Sequence, residues 1–227
     1  MADVGFTYVV EKNCPVCTEK THVVKVRSRL MVERTDWDYC THYKDFNPYY
    51  YNIWVCEHCG FAADEKTFLA PMPEKHRNKL WEFVSSKKIN FKFTTTRGLP
   101  EAIAAYKLAI LFSEMRDEAL AHQAGLYLKL AWSIRTTDGG NPEMEKPFLA
   151  KAAELYDRSV MTERYPIGPL TDSMAIYLTG AINYLMGDIE QATTYISRLM
   201  SDKDLREVDP KLYDRARDLW QDVRESK

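Results

Sequence analysis

Tyr51-Asn52-Ile53-Trp54-Val55-Cys56-Glu57-His58-Cys59-Gly60 sets an aromatic, β-branched run directly before a C-x-x-C pair. The same arrangement occurs earlier, where Phe6-Thr7-Tyr8-Val9-Val10 leads toward Cys14-Pro15-Val16-Cys17. Each pair places two thiolates on one tight turn, and two such turns complete a tetrahedron around a zinc ion. The pattern predicts a zinc ribbon in which Cys14, Cys17, Cys56 and Cys59 hold one structural Zn2+. A closed four-thiolate site anchors a fold and leaves no open position for chemistry. Gly60 suits the left-handed residue that follows a knuckle, whereas Thr18 stands at the equivalent place and predicts a less regular first knuckle. No βαβ pattern surrounds either pair, which argues against a thioredoxin-like redox motif.

Working outward, the character of the chain changes near residue 70. Before it, β-branched and aromatic residues dominate, with alternation over Thr21-His22-Val23-Val24-Lys25-Val26-Arg27. After it, helical patterns run to the end. Pro73-Glu74 opens a helix expected to reach Ser85, with Leu80, Trp81 and Val84 on its apolar face. Ile89 to Gly98 reads equally as a short strand or an extended linker.

From Leu99 a loose repeat emerges. Ala102-x3-Tyr106-x2-Ala109 recurs as Ala152-x3-Tyr156-x2-Ser159 and as Ala192-x3-Ile196-x2-Leu199. Each triad lies on one helical stripe, as in the second helix of a tetratricopeptide repeat. Gly180 suits close helix approach, Gly187-Asp188 an inter-helix turn, and Asp209-Pro210 the start of a terminal helix with a polar outer face. The fold class expected is therefore α+β. A zinc-ribbon-like module (1–70) is followed by a basic connecting helix and linker (71–98) and a tetratricopeptide-like domain (99–227).

The 227 residues carry a formal net charge of −2, which gives no general reason to expect nucleic acid or an acidic membrane. Residues 71–100 are an exception, with seven Lys/Arg against two Asp/Glu. No signal sequence or membrane span is legible, and C-x-x-C pairs in a reducing compartment read as metal ligands; both suggest the cytoplasm. No phosphate-binding glycine loop, Ser/His/Asp order or H-E-x-x-H is present, so an enzyme is not expected.

Cys40 stands outside the two pairs. It reads as a small buried residue or as a reactive thiol or alternative ligand beside His42. His58 is expected to point away from the metal, and His22, His76 and His122 have no visible partner. Tyr49-Tyr50-Tyr51 and Trp54, near Arg27, Arg29 and Arg34, hold the ingredients of a single-strand stacking platform, but core packing explains them as well.

Beyond these features the chain resembles the bacterial family known as domain of unknown function 2225. The resemblance is carried by Cys14-Pro15-Val16-Cys17, Lys25-Val26-Arg27-Ser28 and Asp36-x-Asp38-x-Cys40-x-x-Tyr43. It continues through Asn47-Pro48-x-x-Tyr51-x-x-Trp54-Val55-Cys56-x-x-Cys59-Gly60-Phe61-Ala62, Tyr106-Lys107-Leu108-Ala109 and Tyr127-Leu128-Lys129-Leu130-Ala131-Trp132-x-x-Arg135. It implies a zinc-ribbon-like N-terminus and tetratricopeptide-like helices, and no activity.

The functional expectation is an intracellular zinc-binding adaptor that recognises a protein or peptide. Trp132, Arg135, Tyr177 and Tyr184 are the candidate contacts on first helices. One alternative is nucleic-acid binding through the ribbon, the aromatics and the basic collar of Lys75, Arg77, Lys79, Lys87, Lys88, Lys92 and Arg97. Another is a thiol sensor built on Cys40 or the zinc thiolates.

Overall fold

The computed structural model describes residues 5–86, 93 and 96–226 and shows an α+β protein. Lys87, Lys88, Lys92 and most of the Ile89–Gly98 stretch lie outside the described residues. The described residues group into two compact units. The first draws on 5–34, 41–118 and 132–141, and the second on 35–40, 119–131 and 142–226.

The first unit begins with β1 (Thr7–Asn13) and β2 (Lys20–Val26), paired antiparallel from Thr7↔Val26 to Asn13↔Lys20. Thr21 and Val23 point inward two residues apart, as a half-buried strand requires. The strands β3 (Val32–Thr35) and β4 (Thr41–Tyr43) form a second pair. A third, antiparallel pair joins β5 (Ile53–Val55) to β6 (Ala62–Asp64). Pro48–Tyr51 is a 3-10 turn. Asn47 starts it: its side chain accepts the Tyr49 N–H (3.1 Å), and Pro48 supplies the first turn position, where no N–H is needed.

Three helices follow in this unit: α1 (Glu65–Leu69), α2 (Glu74–Ser85) and α3 (Leu99–Met115). Leu80 and Val84 of α2 are buried as expected, but Trp81 is 48% exposed and lies off the apolar stripe. The helix α3 packs on β5, β6 and the 3-10 turn. Its Phe112 meets Phe61 (5.4 Å between ring centroids), and Phe61 meets Phe68 (5.6 Å) in a fully buried aromatic cluster. Tyr106 reaches across to donate to the Tyr49 carbonyl (3.2 Å).

Three of the four aromatics around the second strand-and-knuckle run are core, and Tyr50 is half-buried with its hydroxyl 2.6 Å from that of Thr137. Tyr49, Tyr51 and Trp54 are 7%, 6% and 2% exposed, which leaves no free ring face for a base. Arg97 is likewise withdrawn from the basic collar. Its guanidinium donates to the carbonyls of Phe93, Tyr50 and Ile53 (2.7–3.1 Å), and its backbone N–H donates to the Tyr51 hydroxyl (3.1 Å). Saturated with carbonyl acceptors, a buried guanidinium is tolerated as a strut that holds the loop before β5.

The second unit contains most of α4 (Leu120–Arg135) and all of α5 (Pro142–Thr162), α6 (Asp172–Leu185), α7 (Ile189–Met200), α8 (Leu205–Val208) and α9 (Pro210–Glu225). Thr171, Asp188 and Asp209 cap α6, α7 and α9 through their side-chain oxygens (3.0–3.1 Å). Leu212, Ala216, Leu219 and Val223 are the buried stripe of the terminal helix, as its periodicity predicts. All three repeated triads are buried, from Ala102, Tyr106 and Ala109 on α3 to Ala192, Ile196 and Leu199 on α7.

At Gly180 α6 and α7 approach closely: a Cβ there would sit 2.6 Å from Ile196 Cδ1 and 3.2 Å from Tyr195 Cβ. Ile196 is fully buried, so its side chain could give way only by displacing neighbours in the core. Gly180→Ala is therefore expected to destabilise by about 1–3 kcal/mol of overpacking, less up to about 1 kcal/mol from alanine's better helix propensity. A urea midpoint that stays level or rises would refute this reading of the contact.

Between β3 and β4 the chain lends Thr35–Cys40 to the second unit. Tyr39 stands edge-on to Tyr177 (5.6 Å), and Arg215 of α9 lies over Tyr39 (4.4 Å) and Trp37 (5.5 Å). Arg215 also donates to the carbonyls of Asp36 and Trp37. Tyr39 has φ +67°, a left-handed conformation that costs a non-glycine residue about 1 kcal/mol and persists only where packing over-determines it. Among the described residues, no helix is long and apolar enough to cross a membrane.

Candidate metal centre

Both C-x-x-C pairs occupy the tips of β-hairpins. The β1–β2 ladder closes at Asn13↔Lys20, so Cys14 to Glu19 form one tip; β5–β6 closes at Val55↔Ala62, so Cys56 to Phe61 form the other. The two tips share one hydrogen-bond plan. Cys14 N–H donates to Glu19 O (2.9 Å) and Thr18 N–H to Cys14 O (3.0 Å), matching Cys56 N–H to Phe61 O (2.8 Å) and Gly60 N–H to Cys56 O (2.9 Å). Thr18 takes φ +65° where Gly60 takes +75°. The first knuckle is thus as regular as the second, contrary to the expectation from its missing glycine. The Thr18 hydroxyl donates to the Cys17 carbonyl (2.6 Å), a local bond of the kind that helps short polar residues occupy this region.

The sulfurs converge. Cys14 Sγ lies 3.7 Å from Cys59 Sγ and Cys17 Sγ lies 3.6 Å from Cys56 Sγ, with all four within 4.8 Å of one another. A tetrahedron with metal–sulfur bonds of about 2.3 Å requires edges of about 3.8 Å. The spacing is far beyond a disulfide bond of about 2.05 Å, and all five cysteines are free. The four residues therefore adopt a geometry that can hold a metal ion, and four thiolates in tetrahedral array suit zinc or iron.

Electrostatics say the same. As thiols alone, the four compete for ionisation. Hydrogen bonds from Cys14 and Cys59 hold the Cys56 thiol far below its ordinary range. Hydrogen bonding to Cys56 pushes Cys14 up, hydrogen bonding to Cys14 and Cys56 pushes Cys59 up, and burial pushes Cys17 up. One thiolate is accommodated at the expense of the other three. A cation bound among them would let all four ionise together.

A supporting layer pins the second knuckle to β2. The Glu57 N–H donates to the Thr21 hydroxyl (3.0 Å), and Thr21 is fully buried. His22 donates its backbone N–H to Glu57 Oε1 (3.1 Å) and sets Nδ1 2.9 Å from the same oxygen. Burial raises the Glu57 carboxyl, but the His22 hydrogen bonds outweigh it and the net shift is downward. His58 Nε2 donates to the Lys20 carbonyl (2.8 Å), turned away from the sulfurs as expected. His22 does have a partner, which one-dimensional reading missed. The available signal was positional, since β2 leaves the first knuckle and its opening residues must run beside the second.

The other residues singled out in the sequence have surroundings of their own. Cys40 is wholly buried. Trp132 is half-buried against Tyr49 (5.4 Å) in the first unit, and Arg135 ends α4, where a cation complements the helix dipole. Tyr177 is fully buried and its hydroxyl donates to Trp37 O (2.9 Å); it is a core residue, not an open contact. Tyr184 packs partly buried against the core of the second unit. Its sequence neighbour Leu185 bounds a groove of about 560 Å³ together with Thr35, Asp36, Trp37, Arg215 and Asp218.

The fold and site define an α+β protein with a four-cysteine candidate metal centre on two hairpin tips. The chain belongs to the family described as "uncharacterized protein conserved in bacteria (DUF2225)", whose model matches residues 8–223. No curated protein and no solved structure matches it.

Proposed function

We propose that this protein is an intracellular zinc-binding adaptor. Cys14, Cys17, Cys56 and Cys59 hold one structural Zn2+, and tetratricopeptide-like helices receive a protein or peptide. The observation that carries the zinc reading is the sulfur tetrad, with edges of 3.6 and 3.7 Å at two matching hairpin tips. Five free cysteines suit a reducing cytoplasm. A site closed by four sulfurs favours a folding role over catalysis. The repeat reading is supported by the three buried triads and by the glycine-mediated α6–α7 approach. The partner surface we favour is the groove bounded by Leu185, Asp218 and the Thr35–Trp37 segment.

Two measurements test this. Metal analysis of the full chain is expected to give one zinc per chain and none in Cys14→Ser/Cys56→Ser; iron, or a folded protein without metal, refutes the zinc assignment. Partner capture from bacterial cytosol should be lost in Leu185→Glu/Asp218→Lys at unchanged circular dichroism. A partner retained by that variant but lost on chelation would place recognition on the first unit and overturn the groove.

A further inference from the structure

The four sulfurs are not equally protected. Cys14, Cys56 and Cys59 are 1%, 1% and 7% exposed, whereas Cys17 is only half-buried and is followed by the exposed Thr18 and Glu19. Val16, on the inner side of the same turn, is 4% exposed, so the knuckle turns Cys17 toward solvent. Cys17 Sγ lies 3.6 Å from Cys56 Sγ on the other hairpin. Reactivity of thiolates toward peroxides follows thiolate character and access, and metal-bound sulfur is thiolate by necessity.

Building on the zinc reading above, we infer that Cys17 is the oxidation site through which a peroxide opens the metal centre. The Cys17 thiolate attacks one peroxide oxygen. An S–O bond forms as the O–O bond breaks, hydroxide leaves, and Cys17 becomes a sulfenic acid. The Cys56 thiolate then attacks Cys17 Sγ, the S–O bond breaks, a second hydroxide leaves, and a Cys17–Cys56 disulfide remains. Two thiolates have lost two electrons, and hydrogen peroxide has gained them. The ion keeps only Cys14 and Cys59 and dissociates. Cys40, with no exposed surface, takes no part.

The test uses the zinc-loaded full chain and hydrogen peroxide, with free zinc read by a chromogenic chelator. One equivalent of peroxide is expected to free one zinc. Fragmentation of the cross-linked peptides should show Cys17 joined to Cys56. With a sulfenic-acid trap present in excess, the label should fall on Cys17. Cys17→His, which keeps a zinc ligand but removes the oxidisable sulfur, should release zinc at least about tenfold more slowly, since the other three sulfurs are shielded. Trapping in the wild-type chain decides the matter even if that variant loses its metal. First label on Cys14, Cys56, Cys59 or Cys40, or zinc retained through full oxidation of Cys17, overturns the inference and leaves the zinc assignment standing. A chain that never held zinc fails at loading instead.

Discussion

Withdrawing the proposed zinc from the full chain is expected to unfold the hairpins of the first unit while α5–α9 keep their helical signal. Structural zinc contributes an apparent binding energy of about 10–16 kcal/mol in small modules. A whole domain is stable by only about 5–15 kcal/mol. Loss of the ion therefore removes a term as large as the stability it supports. It also leaves four crowded sulfurs, three of them buried, of which only Cys56 is held low enough to ionise readily. The damage should begin at the knuckles, because Phe61, next to Gly60, links the second tip to Phe68 and Phe112. The second unit has its own core, with Ile176, Tyr177, Ile196, Leu199 and Leu219 among its buried residues, and should open separately. Limited proteolysis and circular dichroism with a strong chelator check this. Cleavage in β1–β2 and β5–β6 should appear first, and Cys56→Ser should reproduce it without chelator. Resistance to protease after complete metal removal would show that the hairpins stand without an ion.

Tyr177→Ala is expected to cost about 3–5 kcal/mol, the range for removing a large buried aromatic side chain. The ring is fully buried, meets Tyr39 edge-on at 5.6 Å, and carries a hydroxyl that donates to Trp37 O at 2.9 Å. Burial pushes that hydroxyl well above the ordinary tyrosine range, so it remains a donor at any physiological pH. Tyr177→Phe should cost only about 1 kcal/mol, one net hydrogen bond. The Trp37 carbonyl keeps a second donor in Arg215 at 3.3 Å. The contrast between the two variants, read as urea midpoints, separates packing from hydrogen bonding. If Tyr177→Ala kept its stability and lost a partner instead, the residue would be a recognition contact after all.

Much of the local structure was legible in one dimension. Pro73-Glu74 and Asp209-Pro210 mark helix starts that the structure places at Glu74 and Pro210. Gly180 marks a close approach that the structure makes with Ile196. The cysteine pairs were legible for a similar reason: spacing within a turn depends on bond geometry over a few residues. Thr18 was misjudged because glycine preference is only a tendency, and a hydroxyl bonded to the neighbouring carbonyl accompanies the left-handed residue here. Trp81 was misplaced because a helix of three turns leaves flanking positions whose burial depends on what packs beside them.

Local sequence alone was enough for the two knuckles, for the span of α2 and the start of α9, and for the small residue where α6 meets α7. These follow from short-range sterics, capping and periodicity. Only the tertiary structure decided that Tyr49, Tyr51 and Trp54 face the core, that Arg97 is spent on three carbonyls, and that His22 finds Glu57 35 residues away. It also decided that Thr35–Cys40 joins the helices, with Tyr177 enclosed beneath it. Periodicity shows which side of an element is apolar. It carries no information about which distant segment will cover that side, and burial and hydrogen-bond satisfaction are properties of the pair.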